Sequence, residues 1–413
     1  VQQGSSITSH GTPAKPNIFT AEKLVQETPE TGFAAYKINN GWWFGGITFV
    51  TDSEPNAQNS PAAVYDFRFS KFYLPQSDYH FWSGYDEYGD YTLEVSPDSS
   101  MYLVLQDSQF HGGRINLGNP DQSYYPATQV YPAGALSWIN NSFENTAISL
   151  DPTYYRANGV VNCDMQLLAY NNLFKGGNWF LLEPFPASAG NWAFRDNLFD
   201  KVNFLQDANQ PLDFDHNGYW PLLPHEFPYG GSAGELAASS GGTTGGGEVT
   251  LSNTPPYQAG ASGKFYLPVT TPLFGAGSRS PADVGLFQYT TRLDQTKEGG
   301  ETAGHMVNIG LHYVAASGNV PKDTDGDGIP DFVEDANGNG QVDFNVTVNA
   351  NETDWQNPQT DSGILDSTNS DYDNIDLSDK VRAGRIKKAL GMNAFDASNP
   401  LTPRQIVTGE EPD

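Results

Sequence analysis

One cysteine, Cys163, stands in 413 residues, so no intramolecular disulfide can form. Preceded by Gly159-Val160-Val161-Asn162, it reads as a buried core residue. Bases are scarce: 21 Lys and Arg face 49 Asp and Glu, for a formal net charge of −28. Such an excess repels phosphates and excludes nucleic acid as a partner. No apolar run approaches the roughly 18 residues needed to span a bilayer. The stretch Val1–Ser6 lacks the basic and then apolar start of a signal peptide and reads as a mature end left by cleavage. There is no H-E-x-x-H or phosphate loop. The seven His residues are scattered, with no pair at metal-ligand spacing. Helical periodicity is nearly absent before residue 376, which excludes an α-helical core.

What fills the chain instead is Gly, Pro, Asn and aromatics, the composition of short strands broken by turns. One pattern recurs: a short strand, an Asn/Asp/Ser pair, one residue and a Phe. It is found at Asp107-Ser108-Gln109-Phe110, Asn140-Asn141-Ser142-Phe143, Asn171-Asn172-Leu173-Phe174 and Asp196-Asn197-Leu198-Phe199, with a looser copy ending at Phe72. The five phenylalanines are spaced by 38, 33, 31 and 25 residues. A solenoid explains this, because equivalent residues of successive coils stack about 4.8 Å apart. Phe over Phe then forms an interior ladder. Asn over Asn bonds its neighbours at a corner and accepts left-handed backbone angles. The expected fold is therefore all-β: a right-handed parallel β-helix over residues 30–222, with spacing beyond 25 inserted at a corner. An N-terminal extension (1–29) precedes it. A Gly-rich excursion (223–263) and a β-rich capping region (264–317) follow, and a calcium-loop segment (318–413) ends in a short helix after Ser378.

The calcium loops carry the sharpest chemistry. Asp323-Thr324-Asp325-Gly326-Asp327-Gly328-Ile329-Pro330-Asp331-Phe332-Val333-Glu334 fills the pattern D-x-[DN]-x-[DN]-G-x5-E without a gap. Ca2+ takes six to eight oxygens. Asp323, Asp325 and Asp327 can supply three and the Ile329 carbonyl a fourth. Asp331 can act directly or through water, and Glu334 can close the shell. A second copy offers Asp335, Asn337, Asn339 and Asp343, with Val346 where the closing Glu is due. A degenerate third copy runs through Asn369–Asn374, with Asn at the turn-glycine position. Fifteen acids and no Lys or Arg lie between Asp323 and Asp379, so cations are expected to hold this segment together. Gly318 and Pro321 before the loop, and Pro330 within it, exclude the long flanking helices of a calcium sensor.

Tandem acidic loops without helices resemble thrombospondin type 3 repeats. Upstream, Ala276-Gly277-Ser278-Arg279-Ser280, Asp283-Val284-Gly285-Leu286-Phe287, Lys297-Glu298-Gly299 and Ile309-Gly310-Leu311-His312-Tyr313 run into the first loop. With the NN-x-F repeats they resemble secreted bacterial β-helix proteins that lead into such a repeat. The resemblance covers about residues 130–345. It implies structural calcium and an extracellular or cell-surface location, and carries no settled activity. The expectation is a secreted, calcium-stabilised structural or adhesive protein of a surface or matrix, with self-association into filaments or layers. A glycan-binding or glycan-cleaving protein is the alternative. Its binding candidates are Tyr79, Trp82, Tyr85, Asp86 and Tyr88, whose rings can stack on sugars. Its catalytic carboxylates would be Asp66, Asp107 and Asp196, read as equivalent coil positions.

Overall fold

The computed structural model describes residues 6–20, 47–48, 63–74, 79–83, 101–118, 134–151, 153–156, 159–162, 165–181, 192–206, 212–220, 230–232, 247–302, 304–345 and 350–358. The chain divides into two compact units, Val1–Thr254 and Pro255–Asp413. The structure is mostly β, with two one-turn α-helices among the described residues, Pro281–Val284 and Asp331–Glu334. The helix proposed after Ser378 and the third calcium-loop copy lie outside the described residues, as does Cys163.

The first unit is built from three sheets that the chain visits in turn. The first holds Ser6–His10, Ala63–Arg68, Met101–Gln106, Gly134–Ile139, Met165–Tyr170, Trp192–Arg195 and Leu212–Asp215, in that order. The second runs Asn17–Thr20, Ser70–Tyr73, Gln109–His111, Ser142–Glu144, Leu173–Lys175, Leu198–Asp200, Gly218–Trp220 and Val249–Thr250. The third runs Ile47–Thr48, Tyr79–Ser83, Arg114–Gly118, Ala147–Asp151, Asn178–Leu181, Asn203–Gln206 and Gly230–Ser232. All neighbours pair in parallel except Gly230–Ser232, which returns antiparallel to Asn203–Gln206. The sheets begin at Ser6, inside the stretch set apart as an N-terminal extension. They take in Val249–Thr250 from the Gly-rich stretch.

The register makes the sequence recurrence physical. Phe19, Phe72, Phe110, Phe143, Phe174, Phe199 and Tyr219 stand in one column of the second sheet. Their rings stack nearly parallel, with centroids 4.6, 4.5, 4.9, 4.9, 5.1 and 5.6 Å apart. Offset contacts of this kind add about 0.5–1.5 kcal/mol per pair beyond the burial of the rings. Leu103, Leu105, Ile115, Leu117, Trp138 and Trp179 fill the same core from the other two sheets.

The two residues of each Asn/Asp pair divide the labour at the corner between the first and second sheets. The first takes the left-handed conformation: Asp107, Asn140, Asn171 and Asp196 have φ of 52°, 57°, 54° and 58°. Phe69 and His216 hold the same place in the outer repeats, at 46° and 52°. The second residue turns inward and builds an amide ladder. The backbone N–H groups of Ser108, Asn141, Asn172 and Asn197 donate to Oδ1 of Asn141, Asn172, Asn197 and Asn217, at 2.9–3.0 Å. Each Asn Nδ2 reaches back to a carbonyl of the preceding repeat, those of Leu105, Trp138, Ala169 and Phe194. At the end of the ladder Asn217 N–H donates to Glu248 Oε2 at 3.0 Å, so a carboxylate replaces the next amide. A second left-handed column, Gly112, Asn145, Gly176 and Lys201, turns the chain from the second to the third sheet. At the neighbouring Gly177 a Cβ would lie 2.2 Å from the Thr146 carbonyl oxygen, so only glycine fits.

Asp66 does not share a position with Asp107 and Asp196. It lies within a strand, opposite Val104, while Asp107 occupies the corner. Asp107 accepts from Arg68 Nε at 3.1 Å and from Asn140 Nδ2 at 2.8 Å, and Asp66 and Asp196 are buried.

The second unit has little regular structure where strands were expected over 264–317. Two-residue pairs, Tyr289–Thr290 with Tyr313–Val314 and Ala316–Ser317 with Val320–Pro321, are its longest ladders before the calcium loops. Its core is Phe265, Tyr266, Leu273, Leu286, Tyr289, Val307, Ile309 and Leu311. The boundary drawn at 318 separates residues that the structure joins: Phe287 N–H donates to the Gly338 carbonyl, and Lys297 pairs with Asp331 at 2.8 Å.

Asn172→Ala would leave the buried N–H of Asn141 without an acceptor, at about 1–3 kcal/mol, and take one donor from the Trp138 carbonyl, at about 1 kcal/mol. A loss of about 3 kcal/mol in urea denaturation of the first unit is expected. A change under 1 kcal/mol would show that the ladder is not a main support.

Candidate metal site

The first loop curls because its aspartates bond their own backbone. Asp323 accepts from Gly326 N–H at 2.7 Å and Gly328 N–H at 3.0 Å. Asp325 accepts from Asp327 N–H at 3.2 Å, and Asp327 from Ile329 N–H at 2.7 Å. Gly326 and Gly328, at φ of 80° and 103°, let the chain make this bend. The result gathers one carboxylate oxygen from each of Asp323, Asp325 and Asp327 within 4.8 Å of one another, the only such group among the described residues. Pro330 then starts the helical turn Asp331–Glu334, which is packed down by the buried Phe332 and carries Glu334 back toward the aspartates.

Glu334 is fully buried. Its Oε1 accepts from Thr353 Oγ1 at 2.9 Å, while Oε2, equally buried, has no hydrogen-bond partner. Asp325 Oδ2 is buried and unpartnered in the same way. Burial pushes the Glu334 carboxyl up to about 8, with the charges of Asp325, Asp327 and Asp331 adding to the effect. Asp325 is pushed up to about 6, by burial first and then by Asp327 and Asp323. Buried acceptors facing like charge without donors are costly unless a cation neutralises them. Oxygen-only donors, with no His or thiolate, suit a hard divalent ion such as calcium. The residues present fit that ion: Asp323, Asp325, Asp327 and Glu334 would hold it. Asp331, expected at the ninth position, turns both oxygens elsewhere. It accepts from Thr324 N–H and Oγ1, each at 2.6 Å, and from Lys297 Nζ at 2.8 Å. That ammonium also lies 3.9 Å from the centre of the Trp355 ring.

The second loop repeats the Asx turns. Asn337 Oδ1 accepts from Asn339 N–H at 2.9 Å and Asn339 Oδ1 from Gln341 N–H at 2.7 Å. Asp335 Oδ2 accepts from Gly340 N–H and from Gln288 Nε2, both at 2.8 Å. The side-chain amides of Asn337 and Asn339 converge on Asp343 Oδ2. Sequence spacing missed Glu352, which lies outside the twelve-residue pattern. Its Oε1 accepts from Asn337 N–H at 2.9 Å and its Oε2 from Asp343 N–H at 3.1 Å. Burial pushes the Glu352 carboxyl up to about 7, with Asp335 and Asp343 adding.

The scattered histidines also conceal a pairing. His305 Nε2 and His312 Nε2 lie 3.3 and 3.4 Å from the two oxygens of buried Glu298, which also accepts from Asn308. Burial opposes charge on Glu298, but the two imidazoles hold its carboxyl below the usual range. This cluster is buried in the second unit. Of the aromatic binding candidates, Tyr79 and Trp82 fall in the strand Tyr79–Ser83 of the third sheet rather than in an insertion. Tyr85, Asp86 and Tyr88 lie outside the described residues. Among the described residues no helix is long and apolar enough to cross a membrane.

Comparison of the chain with protein-family profiles, curated proteins and solved structures finds no match in any of the three.

A carboxyl raised on folding favours the folded state when protonated, so its contribution is lost as pH climbs through the raised value. In a chelator, the second unit is therefore expected to lose thermal stability between pH 6 and pH 9. Glu334→Gln should flatten that decline, and saturating calcium should remove the Glu334 part of it. Melting curves at the two pH values check this; an identical decline in Glu334→Gln would refute the assignment.

Proposed function

We propose that the chain is a secreted, calcium-stabilised structural or adhesive protein of a bacterial surface or extracellular matrix. In this reading the first unit winds as a right-handed parallel β-helix and the second carries thrombospondin type 3-like calcium loops. Right-handedness follows from the strong preference of parallel crossovers. The carrying observation is the buried, unpartnered Oε2 of Glu334 beside three converging aspartates. A surface or matrix location follows from chemistry: oxygen sites of modest affinity fill where calcium is millimolar. A structural role is supported by how the first unit uses its polar groups, which bind the next repeat rather than gather in a groove. Glycan cleavage is the weaker reading, because Asp107 is bonded to Arg68 and Asn140, and Asp66 and Asp196 are buried at different places in the repeat.

Negative-stain imaging with calcium and after chelation tests the assembly. Filaments or layers that loosen on chelation support it, and compact monomers in both conditions favour the glycan alternative. Equilibrium calcium titration tests the ion site. Asp325→Asn should weaken the tightest binding on the order of tenfold, since ligand charge sets affinity in such loops. Unchanged binding would remove the first loop from consideration.

A further inference from the structure

The two loops follow one another directly in sequence, and one short segment beyond both of them touches each. Glu352 spans the second loop, taking the N–H groups of Asn337 and Asp343 on its two oxygens, while its own N–H donates to the Asp343 carbonyl at 3.2 Å. The antiparallel pair Phe344–Asn345 with Ala350–Asn351 brings it there. The next residue, Thr353, reaches the first loop instead, donating its hydroxyl to Glu334 Oε1 at 2.9 Å. Thr353, Glu352 and Glu334 are 1, 2 and 0 % exposed, so these bonds are shielded from competing water.

This bond decides what Glu334 can do. A glutamate side chain has three free torsions, and ordering them on ion binding has an entropic cost. With Oε1 tied to Thr353, the carboxylate is set before the ion arrives. Its other oxygen, Oε2, is the buried atom that has no donor. Thr353 in turn is placed by Glu352, which is placed by the second loop. We infer that Thr353 is a positioning residue of the first-loop cation site, and that Glu352 couples this site to the folding of the second loop. Calcium is held at full strength in the first loop only when the second loop, the pair Phe344–Asn345 with Ala350–Asn351, and Thr353 are folded beside it. The inference rests on reading the first loop as a cation site and extends it to residues outside the twelve-residue motif.

The test is calcium titration of the full chain, with the component lost in Asp325→Asn marking the first loop. Thr353→Val keeps the shape and removes the donor, and should weaken that component about tenfold, the worth of one hydrogen bond to a charged group. Thr353→Ser restores the hydroxyl and should bring affinity back to within about twofold. Glu352→Ala should weaken the same component although it changes no ligand of it. The double variant Thr353→Val/Glu352→Ala should lose far less than the product of the two effects, because both act through one contact. Hydrogen exchange of the wild-type chain gives an arm that needs no variant: protection over residues 350–353 should rise when calcium fills the first loop. Wild-type affinity in Thr353→Val, or exchange over 350–353 that ignores calcium, overturns the coupling alone. A wild-type chain that takes up no calcium overturns the reading of the loop and the coupling with it.

Discussion

A buried amide that can be satisfied only by the next repeat is the constraint on which the first unit depends. Asn141, Asn172 and Asn197 each accept a backbone N–H from one neighbouring repeat and place their own N–H on the next. A repeat shifted by one residue would strand both groups in an apolar interior. The ladder therefore sets register, and register sets everything stacked on it. The phenylalanine column can keep centroid separations near 5 Å only because the corner beside it does not slip. The left-handed columns on either side let three short strands turn in so few residues. Where the ladder stops, Glu248 supplies the acceptor that a further asparagine would have supplied.

The second unit meets the opposite problem. It has few backbone ladders, and its cohesion comes from charged side chains drawn inside. Lys297 binds Asp331, Gln288 binds Asp335, and two histidines bind Glu298. Each of these acids has a donor. Glu334 and Asp325 each keep one buried oxygen without a donor, and the neighbouring aspartates add like charge to that burial. A cation, as proposed, would offset that charge.

Much of this was legible in the chain, for reasons that differ from element to element. Phe110, Phe143, Phe174 and Phe199 were legible because stacking demands the same residue type at each level. The convergence of Asp323, Asp325 and Asp327 was legible because ligand-like spacing within one short loop can be counted. Phe19 and Tyr219, which extend the column, were not, because the residues around them depart from the pattern. The second left-handed column escaped because Gly, Asn and Lys all adopt that conformation there. Asp66 looked equivalent to Asp107 because the first copy of the motif carries Phe69 at the turn.

The sequence by itself determined an all-β chain of recurring layers, an acidic segment with ligand-spaced aspartates, and the absence of long apolar helices. These properties are local, or repeat at intervals a reader can count. Only the tertiary structure decided which polar groups end without partners and which distant residues complete a site. Glu352 and Thr353 follow neither the period of the strands nor that of the loops. They matter because the fold carries them to Asn337, Asp343 and Glu334, where burial removes the water that would otherwise satisfy these groups.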